Sequence, residues 1–106
     1  MRRAARTDAN LTEVVAAMRR AGLSVHVDND LVDVWAGYGG VTRLVEVRDG
    51  SKSQSRVHRY TTRQKKFREW WTGGIDLVTS VNDALILAAR MKRWHAALCR
   101  DAMKGE

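Results

Sequence analysis

The chain has 106 residues, 44% of them hydrophobic and 29% charged, enough for one compact domain with a modest core and too few for two. Its single cysteine, Cys99, excludes a disulfide-stapled fold, and the longest apolar run, residues 84–89, falls far short of the ~20 residues of a membrane span. Nineteen Lys and Arg against twelve Asp and Glu leave a net charge of +7, which excludes a solvating acidic chain and favours anionic partners.

Arg2 and Arg3 lead into polar sequence, so no secretory signal is expected and the chain reads as cytosolic. Thr7 or Asp8 is placed to cap a helix running to about Ala21. Its Leu11, Val14, Val15 and Met18 recur at helical spacing, and Gly22 stands where a helix stop belongs. Three β-branched segments follow, at 24–27, 31–36 and 41–48, the last two joined by a tight turn at Gly37-Tyr38-Gly39-Gly40. Residues 50–61 read as a polar, mobile loop. A helix over 62–72 points Phe67, Trp70 and Trp71 inward and stops at Gly73-Gly74. Residues 75–79 read as a buried strand. Ser80 or Asn82 then caps a long helix through Ala84, Leu87, Ala88, Met91, Trp94 and Leu98, with residues 91–106 a helical extension of the single domain. The order α-β-β-β-α-β-α predicts an α+β (mixed α/β) fold, a mixed sheet flanked by helices. The crossover helix before residue 75 predicts that the last strand pairs parallel to an earlier one.

The charge is unevenly spread. Residues 1–50 hold seven cations and seven anions, whereas residues 51–106 hold twelve cations and five anions. Between residues 52 and 68 stand Lys52, Arg56, Arg59, Arg63, Lys65, Lys66 and Arg68, with no acid among them. Such a strip attracts polyanions, nucleic acid foremost, because each neutralised phosphate releases counterions. The plainer alternative is a solvated basic face.

Strand alternation puts Leu31, Asp33 and Trp35 on one face, and Leu44, Glu46 and Arg48 on one face. Asp33 and Glu46 are therefore acids inside apolar strands, and a buried carboxylate needs a cation, a donor network or a metal. Paired as a hairpin, the two could lie roughly 5 Å apart, and oxygen ligands of this kind suit magnesium. The alternative is a structural ion pair of Asp33 with Arg48 or another arginine. His26, His58 and His95 lack metal-ligand spacing, so zinc is not expected. The turn glycines lack the lysine and following helix of a phosphate loop. Cys99 reads as an inert packing residue, and one of the inward tryptophans is a candidate for base stacking.

Several stretches carry a family resemblance: Thr7-Asp8-Ala9-Asn10-Leu11-Thr12-Glu13-Val14-Val15, Leu31-Val32-Asp33-Val34-Trp35-Ala36-Gly37, Leu44-Val45-Glu46-Val47-Arg48-Asp49-Gly50, Thr61-Thr62-Arg63-Gln64, and Val78-Thr79-Ser80-Val81-Asn82-Asp83-Ala84-Leu85. In that order the chain resembles the PD-(D/E)XK nuclease superfamily, in particular the small phage-type Holliday-junction-resolvase-like or VRR-NUC-like endonucleases. The resemblance implies a restriction-endonuclease-like core, with Asp33, Glu46 and the Val47 carbonyl as ligands of Mg2+ (or Mn2+). It also implies Gln64 as a supporting residue on the following helix and Glu13 as an acid from the first helix, although Glu13 lies off that helix's apolar stripe. Val32 replaces the family's proline, and Arg48 stands at its usual lysine. An arginine, which does not give up its proton in proteins, cannot act as a general base but can hold a phosphate and stabilise developing charge.

The expectation is a hydrolase, a magnesium-dependent deoxyribonuclease acting on branched or junction DNA in the cytosol of a bacterial or phage-infected cell. Asp33, Glu46, Arg48 and Gln64 form its catalytic set, and Lys52, Arg56, Arg59, Arg63, Lys65 and Lys66 lie along DNA. Symmetric cutting of a junction needs two sites about a twofold axis, so a homodimer is expected, with Trp94 and Leu98 as surplus apolar surface for the contact. No membrane partner is expected. The reading from another class is a non-catalytic nucleic-acid-binding protein on a degenerate nuclease fold.

Overall fold

In the computed structural model, which describes residues 9–49 and 60–104, the first helix, α1 (Ala9–Arg20), buries the expected stripe of Leu11, Val14, Val15 and Met18. Gly22 ends it at φ +97°, a conformation that side chains rarely adopt. The Gly22 and Leu23 amides donate back to the Arg19 and Met18 carbonyls (3.0 and 3.1 Å), closing the last turn as a Schellman motif. The expected caps Thr7 and Asp8, and the expected loop as far as Arg59 with Lys52, Arg56 and Arg59 in it, lie outside the described residues.

Four strands follow: β1 (Ser24–Val27), β2 (Val34–Tyr38), β3 (Val41–Val47) and, after α2 (Thr62–Trp70), β4 (Ile75–Val78). They form one sheet in the order β1-β2-β3-β4. β1, β2 and β3 run antiparallel, and β4 lies parallel to β3, as the crossover predicts. The β2–β3 turn is shorter than the glycine run suggests. Tyr38 pairs with Val41, and Gly39 and Gly40 between them both take positive φ (52° and 88°), the requirement of a two-residue type I′ turn.

β2 begins at Val34 rather than at residue 31, and local hydrogen bonding explains the difference. Asp28 Oδ2 accepts from the Leu31 and Val32 amides (3.0 and 3.4 Å), while the Asp28 and Asn29 amides donate to the Asp33 carbonyl (2.8 and 3.3 Å). An aspartate that captures the next amides offers the backbone a turn in competition with a strand ladder. Residues 28–33 are thus a folded turn that delivers Asp33 to the start of β2.

Helices cover both faces of the sheet. On one, Val34, Ala36, Val45 and Val78 pack against α1 and against Leu87, Ala88 and Met91 of α3 (Val81–Lys104). On the other, Leu44 packs with Val32 and with Phe67 of α2, flanked by Leu31, Trp71 and Ile75. Of the three aromatics expected to point inward from α2, Phe67 is buried and Trp71 stacks on it at 5.2 Å. Trp70 is instead 66% exposed at the rim, because a single helical stripe has no room for a residue three places from Phe67 once Trp71 fills the next turn. Ser80 is the cap of α3: its Oγ accepts from the Asp83 amide (3.0 Å), and Asp83 Oδ2 accepts from the Thr79 amide and hydroxyl (3.0 and 2.8 Å). The 24 residues of α3 run about 36 Å, so the helix outlasts the sheet beyond His95, whose Nδ1 lies 3.0 Å from the Gly39 carbonyl oxygen. Cys99 is accordingly exposed rather than packed, its Sγ 3.7 Å from His95 Nε2. No helix among the described residues is long and apolar enough to cross a membrane.

Candidate active site

One pairing builds the site. β2 and β3 run with Val34 opposite Val45. Continued one residue past the ladder, that register sets Asp33 opposite Glu46, on the sheet face that carries Leu44 and α2. The Val47 amide donates to Asp33 Oδ2 (2.8 Å), so the first carboxylate is tied to the strand bearing the second. Glu46 lies in a strand covered on both faces and is 4% exposed.

A buried carboxylate needs a partner, and α2 supplies it. Arg68 Nη2 donates to Glu46 Oε1 at 3.0 Å. The same guanidinium lies over the Tyr60 ring, 4.2 Å from its centroid, and the Tyr60 hydroxyl accepts from Arg48 Nη2 (2.9 Å). One phenol thereby braces two guanidinium groups beside one carboxylate. Burial pushes the Glu46 carboxyl up to about 7, the Asp33 charge adds to the rise, and Arg68 and Arg48 oppose it. The Nε atoms of Arg48 and Arg68 are buried without a hydrogen-bond partner. The end of β3 is held from two sides: the Arg48 carbonyl accepts from Asn10 Nδ2 (2.8 Å), and the Arg48 amide donates to the Val78 carbonyl (3.0 Å).

Gln64 acts on this centre through the turn before Asp33. Its Oε1 accepts from the Thr61 amide (2.9 Å) while its own amide donates to Thr61 Oγ1 (3.1 Å), a capping box. Its Nε2 donates to the Asp30 carbonyl (2.8 Å). Arg63, next to it, forks onto the Asp30 carboxylate through Nε and Nη2 (3.2 and 2.8 Å). The start of α2 is therefore clasped to residues 28–33.

Of the residues expected at the site, Asp33, Glu46, Val47 and Arg48 come together, and Gln64 supports them at one remove. Glu13 is exposed on α1. Among the described residues no group of three or more His, Cys, Asp or Glu is placed to hold a metal, so Glu13 does not join the two acids, and the contact from α1 is made by Asn10. Lys65 and Lys66 are exposed on α2. Two site residues were not anticipated, Arg68 and Tyr60. Arg68 belongs to the basic strip, yet it stands one helical turn after Gln64 and so shares its face, and the need of a buried Glu46 for a cation is the signal that points to it.

The chain matches no protein-family model, no curated protein and no solved structure. The functional reading therefore stands on these side chains. Two adjacent carboxylates and a backbone carbonyl are oxygen donors of the kind hard divalent ions take, and magnesium commonly binds through one or two carboxylates. The donor set fits such an ion, with Arg68 as the competing cation at Glu46.

Proposed function

We propose that the chain is a divalent-metal-dependent endonuclease of the PD-(D/E)XK type, hydrolysing phosphodiester bonds in branched or junction DNA within the cytosol. The observation that carries this reading is the opposition of Asp33 and Glu46 across β2 and β3, with the guanidinium groups of Arg48 and Arg68 beside them. Three antiparallel strands followed by a crossover helix and a parallel fourth support the restriction-endonuclease-like core that the resemblance implies.

In this reading Asp33, Glu46 and the Val47 carbonyl hold Mg2+ or Mn2+, which when bound lowers the pKa of a water and offsets charge on the phosphate. The chain's own residues do the rest. Arg48, a guanidinium that only donates hydrogen bonds, holds the scissile phosphate and stabilises the charge that develops there. Gln64 and Arg63 fix the turn at Asp30 and with it the placement of Asp33. Lys52, Arg56, Arg59, Lys65 and Lys66 bind the DNA backbone, contacts that position without reading sequence. Trp70 offers an exposed ring for base stacking. A homodimer using Trp94 and Leu98 would supply the second site of a symmetric cut.

The second reading, a non-catalytic nucleic-acid-binding protein on the same fold, draws on the Glu46–Arg68 ion pair and on arginine in the lysine position. Incubation with four-way junction, fork and linear duplex, each with and without Mg2+ or Mn2+, separates the two. The enzyme cuts only with metal, and Asp33→Ala and Glu46→Ala abolish cutting while leaving DNA binding in place. Arg48→Lys keeps or raises activity and Arg48→Ala loses it. Equal activity in all three forms contradicts the role given to Arg48, and no cleavage under either ion leaves the binding protein.

A further inference from the structure

We infer that Arg68 is a transferable phosphate-binding cation, which rests on Glu46 until a divalent ion takes that carboxylate and then moves to a phosphate of the DNA. The inference rests on the nuclease reading and extends it from the ligands to the cation that competes with the metal.

Charge is the first argument. Arg68 is ion-paired to Glu46 at 3.0 Å, and Arg48 and Asp33 act on the same carboxyl group. A divalent ion bound at Glu46 beside an unmoved Arg68 would put positive charge in excess there. Release of Arg68 from Glu46 and arrival of a phosphodiester both relieve that excess, and the released guanidinium is a ready partner for the phosphate.

Geometry is the second. Arg68 donates to Glu46 through Nη2 alone (3.0 Å), while its Nε is buried with no hydrogen-bond partner. This is not the two-pronged fork that makes Arg–carboxylate pairs hard to open. The Arg68 side chain is 27% exposed against 5% for Glu46, so of the two partners the arginine is the one in contact with solvent. The Tyr60 ring, 4.2 Å beneath it, gives the released group a surface on which to pivot rather than a free path into water. Arg48, bonded to the Tyr60 hydroxyl at 2.9 Å, holds that surface in place.

If metal and DNA both act through Arg68, each strengthens the binding of the other. Binding of Mn2+ to the full chain, followed by electron paramagnetic resonance without DNA, should be about ten-fold tighter in Arg68→Gln than in the wild type, because the competing cation is gone. Binding of a phosphorothioate duplex gives the complementary measurement. Adding Mn2+ should steepen the slope of log K against log salt by about 0.9 more in the wild type than in Arg68→Gln, the share of one extra phosphate contact. Equal Mn2+ affinity in the two proteins, with metal-dependent cleavage intact, overturns the exchange and leaves the nuclease reading standing. A wild type that neither binds Mn2+ nor cuts overturns both. Should Arg68→Gln not fold, the wild type carries the test. Magnesium titrated into 15N-arginine-labelled protein should shift the Arg68 Nε–H resonance, assigned with Arg68→Lys, and an unmoved resonance at saturation overturns the exchange.

Discussion

Glu46 is an acid placed where the protein holds its proton more tightly than the unfolded chain does. Its pKa rises from 4.5 to about 7, chiefly through burial. Between those values the folded state binds more protons than the unfolded state, so stability falls as pH rises through the window and levels off above it. The full effect is about 3 kcal/mol on the scale of 1.36 kcal/mol per pKa unit. Urea midpoints should therefore be higher at pH 5 than at pH 7.5, and Glu46→Gln should remove most of that difference. An unchanged pH dependence in the variant would contradict the assignment. Asp83 acts in another window and with the opposite sign. Its carboxyl is held below its usual range by the amide and hydroxyl of Thr79, so its contribution is present above the unfolded value and is lost in stronger acid.

At the scale of elements, the two-residue turn governs the site. Tyr38 pairs with Val41, and the same register, counted five residues back and five forward, opposes Asp33 to Glu46. The acids were legible in the sequence because strand alternation and a glycine turn together set a register. The parallel β4 was legible from the crossover helix. The start of β2 was not, because Asp28 diverts the following amides into a turn, a competition that β-branched composition does not display. That Glu46 needs a cation was legible, but which one was not, since Arg68 reaches it from a helix distant in sequence. Gly39 allows a separate test of the turn. A Cβ there would collide with the His95 ring, whereas one at Gly40 would meet nothing within 4 Å, and both residues have positive φ. Gly39→Ala and Gly40→Ala each cost roughly 1–2 kcal/mol for the left-handed backbone, and Gly39→Ala should cost more through the clash. Thermal melts should show the difference, and it should shrink in a His95→Ala background. Equal losses in both backgrounds would contradict the packing of α3 against this turn. At the other end of that helix, Ser80→Ala should lower stability by about 1 kcal/mol, read as a fall of several degrees in Tm.

At the scale of the whole molecule, a nuclease would have to bring these carboxylates to a polyanion, and the distribution of cations decides whether it can. All of the net charge of +7 lies after residue 50, and α2, whose Arg68 faces the site, presents Lys65 and Lys66 to solvent. Arg63 forks onto the Asp30 carboxylate, which ties it to the turn before Asp33. If about four of the cations touch phosphates, log K for duplex DNA should fall against log salt with a slope of about −3 to −4, and replacing Lys65 and Lys66 together by Ala should reduce its magnitude by about 1.8. Arg63→Ala should leave the slope nearly unchanged and instead weaken metal-dependent cleavage, because the lost fork loosens the turn that presents Asp33. A wild-type slope near zero would remove DNA as the partner. A slope unaltered by the double substitution would move the backbone contacts off α2, and the acids would then need another source of positive potential to bring a phosphate within reach.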